Sequence, residues 1–174
     1  MHIILNIRFA YLFFVIAILF LRVPYFQTMT IKGDEGYFLM MGDLLMQGKK
    51  LYVDFLSLNS PLTCFFYIIP NLFPKDIIYS RIICSILIFI TSFLLFHISK
   101  KFINRNYALL APIFYLFQIH YLEEGVGQAF ISEHIINLVV ILFIYYSLQF
   151  KKNENLKNTF LLSFFFTLSV LSRV

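Results

Sequence analysis

Charge is scarce in this chain. Only 13% of its 174 residues are Asp, Glu, Lys or Arg, and 60% are hydrophobic. An ordinary soluble domain carries roughly 25% and 45–50%. The deficit excludes a soluble globular protein and leaves an integral membrane one. It also decides how the net charge of +5 is read. Basic residues so thinly spread through an apolar chain are loop charges and lipid head-group contacts, not a nucleic-acid footprint. Cysteine is nearly absent. Cys64 and Cys84 lie in apolar runs without metal or redox spacing. They read as small hydrophobes within helices, with a disulfide as the less favoured alternative. His2, His97, His120 and His134 show no ligand spacing, and there is no P-loop, dinucleotide fingerprint, HExxH or CxxC. A nucleotide-driven pump and a zinc protease therefore find no support. Neither an internal repeat nor a low-complexity tract is present.

What remains is long hydrophobic runs. They predict spans over 9–26, 81–99, 107–122, 133–150 and 159–174, the third interrupted by Pro112. The first lacks the small-residue cleavage site of a signal peptide and continues into Arg22, Pro24 and Tyr25. It is expected to stay as a helix, with Arg22 snorkelling to the outer interface. Residues 61–73 are apolar but too short for a crossing, which needs roughly 20 residues. They read as an interfacial or re-entrant helix carrying Pro70. The chain stops at Leu171-Ser172-Arg173-Val174, directly off an apolar run. The fifth span is therefore expected to be incomplete, and residues 1–174 to be the front part of a longer, truncated protein.

Charge orients these spans. If 61–73 does not cross, the N-terminus, the loop with Lys100, Lys101 and Arg105 and the loop with Lys151, Lys152 and Lys157 share one side. All three are basic, so that side is the cytoplasm. The loops carrying Asp34, Glu35, Glu123 and Glu124 then share the outer face. The fold class expected is all-α: a polytopic bundle of about five spans, with juxtamembrane helices in the first outer loop.

That first outer loop runs from Gln27 to about Tyr79, and within it residues 33–62 are the longest polar interruption. It opens with Asp34 and Glu35. Tyr37, Met40, Met41, Leu44 and Leu45 follow at helical spacing, and Gly48 stands where a helix would stop. Residues 51–55 read as an aromatic-rich extended piece. Asp34 has two readings: an N-cap, with Glu35 favoured by the helix dipole, or a carboxylate base at the membrane surface. Capping and catalysis are compatible. Glu133 begins a span, where an ionisable residue is a functional candidate, or it is an interfacial helix acid. Glu123 and Glu124 read as loop charges. Lys32, Lys49, Lys50, Arg81 and Arg173 run against the positive-inside bias. Either a phosphate in the outer leaflet or local pairing with Asp34, Asp43, Asp54 and Asp76 would explain them.

The order of these pieces resembles the front half of the GT-C superfamily of integral-membrane glycosyltransferases. Relatives there include the protein O-mannosyltransferases and the lipid A aminoarabinose transferases. The residues that carry the resemblance are GDEGYFLMMGDLLMQG at 33–48, YVDF at 52–55, SPL at 60–62, Arg81 at the second span and SEH at 132–134. The aminoarabinose transferases have Glu-Lys before the proline where this chain has Asn59-Ser60. No phosphate or metal contact is carried over to those two positions.

The resemblance implies a reaction. A sugar moves from a polyprenyl-phosphate carrier to a hydroxyl of a lipid, glycan or protein acceptor on the outer face of a multi-pass plasma-membrane protein, bacterial and with its N-terminus cytoplasmic. Asp34 is the implied catalytic base and Glu35 its orienting neighbour. Glu133 would position acceptor or donor, and Arg81 and Arg173 would offset charge on the leaving phosphate. A divalent metal could do that last job, but no ligand set is assembled in the sequence. The full family architecture has more helices, so this chain alone is expected to lack activity. The alternative is a non-enzymatic membrane protein, a transporter fragment or an inactive scaffold. A transporter would carry charges within several helices, whereas here they gather at one face.

The topology is open to test by cysteine-accessibility labelling. Residues introduced at Lys50 and Gly125 should label from outside, and those at Lys101 and Asn153 from inside. Labelling of 50 and 101 from the same side would make 61–73 a crossing.

Overall fold

In the computed structural model of the chain, residues 7–26, 33–57, 59–73, 77–104, 107–122 and 132–172 are described. Long runs of Phe, Ile and Leu without interior charge satisfy their backbone polar groups as helices, the only open-ended structure an apolar medium tolerates. In order these are α1 (Ile7–Phe26), α2 (Gly33–Met46), α3 (Pro61–Phe66), α4 (Ile68–Asn71), α5 (Ile77–Ser99), α6 (Leu110–Phe117), α7 (Ser132–Lys152) and α8 (Leu156–Leu171). A 3₁₀ turn at Tyr107–Leu109 leads into α6, and a π turn at Gln118–Leu122 leaves it. Pro112 therefore falls in the first turn of α6, where its missing N–H is harmless. The chain folds as an all-α membrane bundle.

Among the described residues two helices are long and apolar enough to cross a bilayer: α5, with 23 residues, and α7, with 21. At 1.5 Å per residue they reach roughly 34 and 31 Å, against a hydrocarbon core of about 30 Å. The apolar stretches Leu12–Val23, Tyr107–His120 and Leu156–Leu171 are shorter. The expected spans thus reappear as helices. Residues 61–73 form two short helices, α3 and α4, neither long enough to cross.

α5 is the hub. It packs against α1, α6, α7 and α4. Its inward face includes Ser80, Arg81, Cys84, Ile88, Thr91, Ser92 and Phe96. Four of these are small, which lets neighbouring backbones approach closely where no hydrophobic drive separates helix from lipid. Hydroxyls on this helix bond back along it: Ser85 Oγ donates to the Arg81 carbonyl (2.7 Å) and Thr91 Oγ1 to that of Leu87 (2.8 Å). α1 meets α5 along Phe14, Ile18 and Arg22, a four-residue stripe that is buried while Phe13, Ile16 and Phe20 are exposed. Phe14 and Phe96 meet edge-on with centroids 5.9 Å apart. α8 buries no side chain and leans on α7 through aromatic contacts, Tyr146 stacking on Phe165 at 5.2 Å.

Three local expectations change. α5 begins at Ile77, a turn before Arg81, so Arg81 lies inside the helix rather than at its mouth. Residues 51–55 are a tight turn, not an extended piece. Leu51 and Phe55 form an isolated bridge, Tyr52 takes φ +64°, and Asp54 accepts from the Lys50 backbone N–H (2.7 Å). α2 begins at Gly33, which puts Asp34 in its first turn rather than at the cap. The expected stop at Gly48 holds. Gly48 takes φ +80°, its N–H reaches the Leu45 carbonyl, and Lys49 N–H reaches that of Leu44, the paired closure of a Schellman motif.

α2 is pinned to the juxtamembrane pair α3 and α4. Asn71 Nδ2 donates to the carbonyls of Leu39 (2.9 Å) and Tyr67 (3.0 Å). Phe38 stacks flat on Tyr67, centroids 4.5 Å apart and planes 2° from parallel. Gly42 sits so close that an added Cβ would collide with the Tyr67 carbonyl and the Asn71 amide. Gly42→Ala should therefore cost about 1–3 kcal/mol, the usual penalty of overpacking a tight contact. Thermal unfolding in detergent followed by circular dichroism checks this. An unchanged midpoint would mean that the helices separate freely.

Candidate active site

Glu35 follows Gly33 and Asp34 into the first turn of α2, and that turn is carried inward by the packing of Phe38 and Met41 one and two turns on. Glu35 is consequently buried. Its Oε2 lies 3.3 Å from Nη2 of Arg81, and its Oε1 accepts from Ser80 Oγ at 3.2 Å. The side chains of Arg81 and Glu35 are 3% and 1% exposed, so the pair is shielded from water and screened little by salt. The Ile77 carbonyl lies 2.7 Å from the same hydroxyl and shares its one proton with Glu35, which holds Ser80 at the start of α5. Thus both oxygens of one carboxylate tie α2 to the first turns of α5.

A second arginine enters from α1. Arg22 is 1% exposed and donates from Nη2 to the Arg81 backbone carbonyl at 3.3 Å. The expected snorkelling to the interface does not occur, because Arg22 continues the stripe of Phe14 and Ile18 and therefore faces α5. The four-residue spacing was the available signal. Nothing in the sequence singled out Ser80 as a partner of Glu35, since the contact joins residues 45 positions apart.

Tyr67, at the joint of α3 and α4, connects this corner to α7. It is fully buried and shares a core with Phe38, Cys84 and Ile135 of the first turn of α7. Burial pushes its phenol above the ordinary value, and the Glu133 carboxylate raises it further. Glu133 itself is exposed in the first turn of α7 and accepts from Ser132 Oγ at 3.1 Å. His134 next to it is buried.

Of the residues singled out in the sequence, Glu35 and Arg81 are in direct contact. Glu133 stands apart from the pair, exposed as an interfacial helix acid. Arg173, Glu123, Glu124, Lys32, Asp76 and the side chain of Asp34 lie outside the described residues. Asn59 and Ser60 serve the local fold. Ser60 Oγ caps α3 by accepting from Thr63 N–H (3.3 Å), and the Asn59 carbonyl accepts from Tyr52 Oη (2.7 Å). Cys64 and Cys84 are both free thiols. Among the described residues no three His, Cys, Asp or Glu side chains gather as a metal site.

Deeper along the bundle, α5, α6, α7 and α8 surround a cleft of about 840 Å³. Leu95, Phe114 and Val140 make it apolar, while Thr91, Gln118 and Asn137 supply neutral polar groups.

The family model for dolichyl-phosphate-mannose-protein mannosyltransferases matches residues 60–174. Arg81, Glu133 and Arg173 fall within the matched stretch, and Asp34 and Glu35 precede it. No curated protein and no solved structure matches the chain.

Removing one partner of a buried ion pair typically costs about 3–5 kcal/mol, while replacing both with apolar or neutral groups costs far less. Glu35→Gln and Arg81→Met should each lower the unfolding midpoint sharply, and the double variant should be more stable than the sum of the two losses predicts. A thermal double-mutant cycle in detergent measures this. Strict additivity would show that the two side chains do not interact.

Proposed function

The chain belongs to the dolichyl-phosphate-mannose-protein mannosyltransferase family, and from that premise we propose that it moves a sugar from a polyprenyl-phosphate carrier to an acceptor hydroxyl at the outer face of the membrane. The observation that carries this reading is the buried Glu35–Arg81 pair. It commits Glu35 to a structural and orienting role and holds the first turn of α2 against α5. Its neighbour Asp34 is then the carboxylate left for the chemistry.

In this reading Asp34 takes the proton of the acceptor hydroxyl. The freed oxygen attacks the anomeric carbon as the bond from that carbon to the phosphate oxygen breaks. The lipid phosphate leaves with the bonding pair. Its charge is offset by Arg81, from within its pair with Glu35, and by Arg173. Glu133, solvent-facing at the start of α7, positions donor or acceptor. The apolar cleft between α5 and α8 supports a lipid carrier, since it offers an isoprenoid chain a path at membrane depth. The acidic end of the bundle is then the outer one, with the N-terminus cytoplasmic.

Asp34→Asn separates chemistry from structure. It keeps the side-chain shape and removes one negative charge near a helix N-terminus, a change of about 0.3–1 kcal/mol. Stability should barely move. Transfer of sugar by membranes holding the full-length form of the protein, assayed with a panel of polyprenyl-phosphate sugars, should fall by roughly 10²–10⁴-fold, the usual share of a general base. Wild-type turnover in Asp34→Asn would remove Asp34 from the mechanism.

A further inference from the structure

The end of the bundle opposite Glu35 and Arg81 carries a different chemistry. α5 runs from that pair to Lys100 and Lys101 just past its C-terminus. α7 ends in Lys151 and Lys152, and Lys157 opens α8 two residues into the helix. Lys101, Lys151, Lys152 and Lys157 are exposed and Lys100 is half-buried. Glu154 is the single carboxylate among the described residues of these two turns.

These lysines are not all loose. The Lys100 ammonium lies over the Phe96 ring, 5.1 Å from its centroid, and the Lys101 ammonium over the Tyr145 ring at 5.0 Å. Tyr145 belongs to α7, so the second contact ties the turn after α5 to the face of α7 that leads to Lys152. Gln149 Nε2 donates to Tyr145 Oη (3.0 Å), which steadies that ring one turn before the lysines. Cation–π contacts fix an ammonium without neutralising it. Among the described residues no carboxylate forms an ion pair with any of these five lysines. The result is a concentration of uncompensated positive charge, partly held in place by aromatic rings, where hydrophobic helices end and lipid phosphates begin.

We propose that Lys100, Lys101, Lys151 and Lys152 form a docking surface for anionic phospholipid head groups of the adjoining leaflet. The lipid's acyl chains would lie along the exposed apolar flanks of α5 and α8, and its phosphate would meet the ammonium groups. Charge complementarity selects the partner. A zwitterionic head group brings its own cation and gains little, while a head group with net negative charge gains from each lysine it meets. The surface is independent of the proposed sugar transfer, which is placed at the other end of the helices.

Native mass spectrometry of the chain from mixed micelles of phosphatidylglycerol and phosphatidylcholine tests the surface. The wild type should retain phosphatidylglycerol in preference to phosphatidylcholine, and the preference should weaken with salt. Each Lys→Gln substitution at 100, 101, 151 or 152 should reduce it roughly fivefold, with helix content by circular dichroism unchanged because these side chains are not in the core. Substituting Lys49 and Lys50, at the other end, should leave it intact. Equal retention of the two lipids, or an undiminished preference in the four-lysine variant, would overturn the proposal. So would displacement of phosphatidylglycerol by an equal concentration of inorganic phosphate, which would mark a small-anion site instead.

Discussion

A carboxylate and a guanidinium removed from water together constrain everything around them. Either charge alone inside an apolar bundle is costly by several kcal/mol, and the pair is tolerable only if its geometry is maintained. Glu35 reaches Arg81 from a helix that lies outside the main bundle, so α2 cannot drift from α5 without exposing both charges to an apolar medium. Ser80 on one oxygen of the carboxylate and Arg22 on the Arg81 carbonyl extend the same constraint to α1. One polar cluster thus fixes the relative placement of three helices that hydrophobicity alone would let slide, because lipid is as apolar as their own side chains.

The juxtamembrane pair α3 and α4 works in concert with that cluster. The stack of Phe38 on Tyr67 and the close contact at Gly42 hold α2 flat against them. Tyr67 in turn shares a core with the first turn of α7. Two acidic positions far apart in the chain, Glu35 and Glu133, are therefore set on connected supports. The proposed transfer would draw on that rigidity, since loops alone would not hold a base within hydrogen-bond reach of a hydroxyl.

Polarity divides the bundle into two ends. Glu35, Glu133 and the buried arginines lie toward the end where α2 docks, and five lysines against one carboxylate, Glu154, gather where α5 and α7 finish. The same division underlies both the topology expected from loop charge and the lipid-facing surface inferred at the basic end. An anionic leaflet at that end would favour the orientation that the positive-inside bias predicts.

Much was legible in residue order. The deficit of charge identified a membrane protein, run length located the helices and denied a crossing to 61–73, and Gly48 marked a helix stop, because these depend on local hydropathy and backbone freedom. The adjacent carboxylates Asp34 and Glu35 drew attention to the turn from which Glu35 reaches Arg81, and the order of motifs pointed to a glycosyltransferase family that the match over 60–174 bears out. What sequence could not assign was which charge meets which. Arg22 was expected at the interface and Arg81 at a helix mouth, yet both turn inward, since burial depends on which neighbouring helix covers a given face. Residues 51–55 looked extended because they are rich in aromatic and β-branched side chains, but a positive φ at Tyr52 and the bond between Asp54 and the Lys50 backbone close them into a turn. Hydropathy acts along the chain and can be read there. The Glu35–Arg81 contact joins residues 46 positions apart, and only the packing of α2 on α5 decides it.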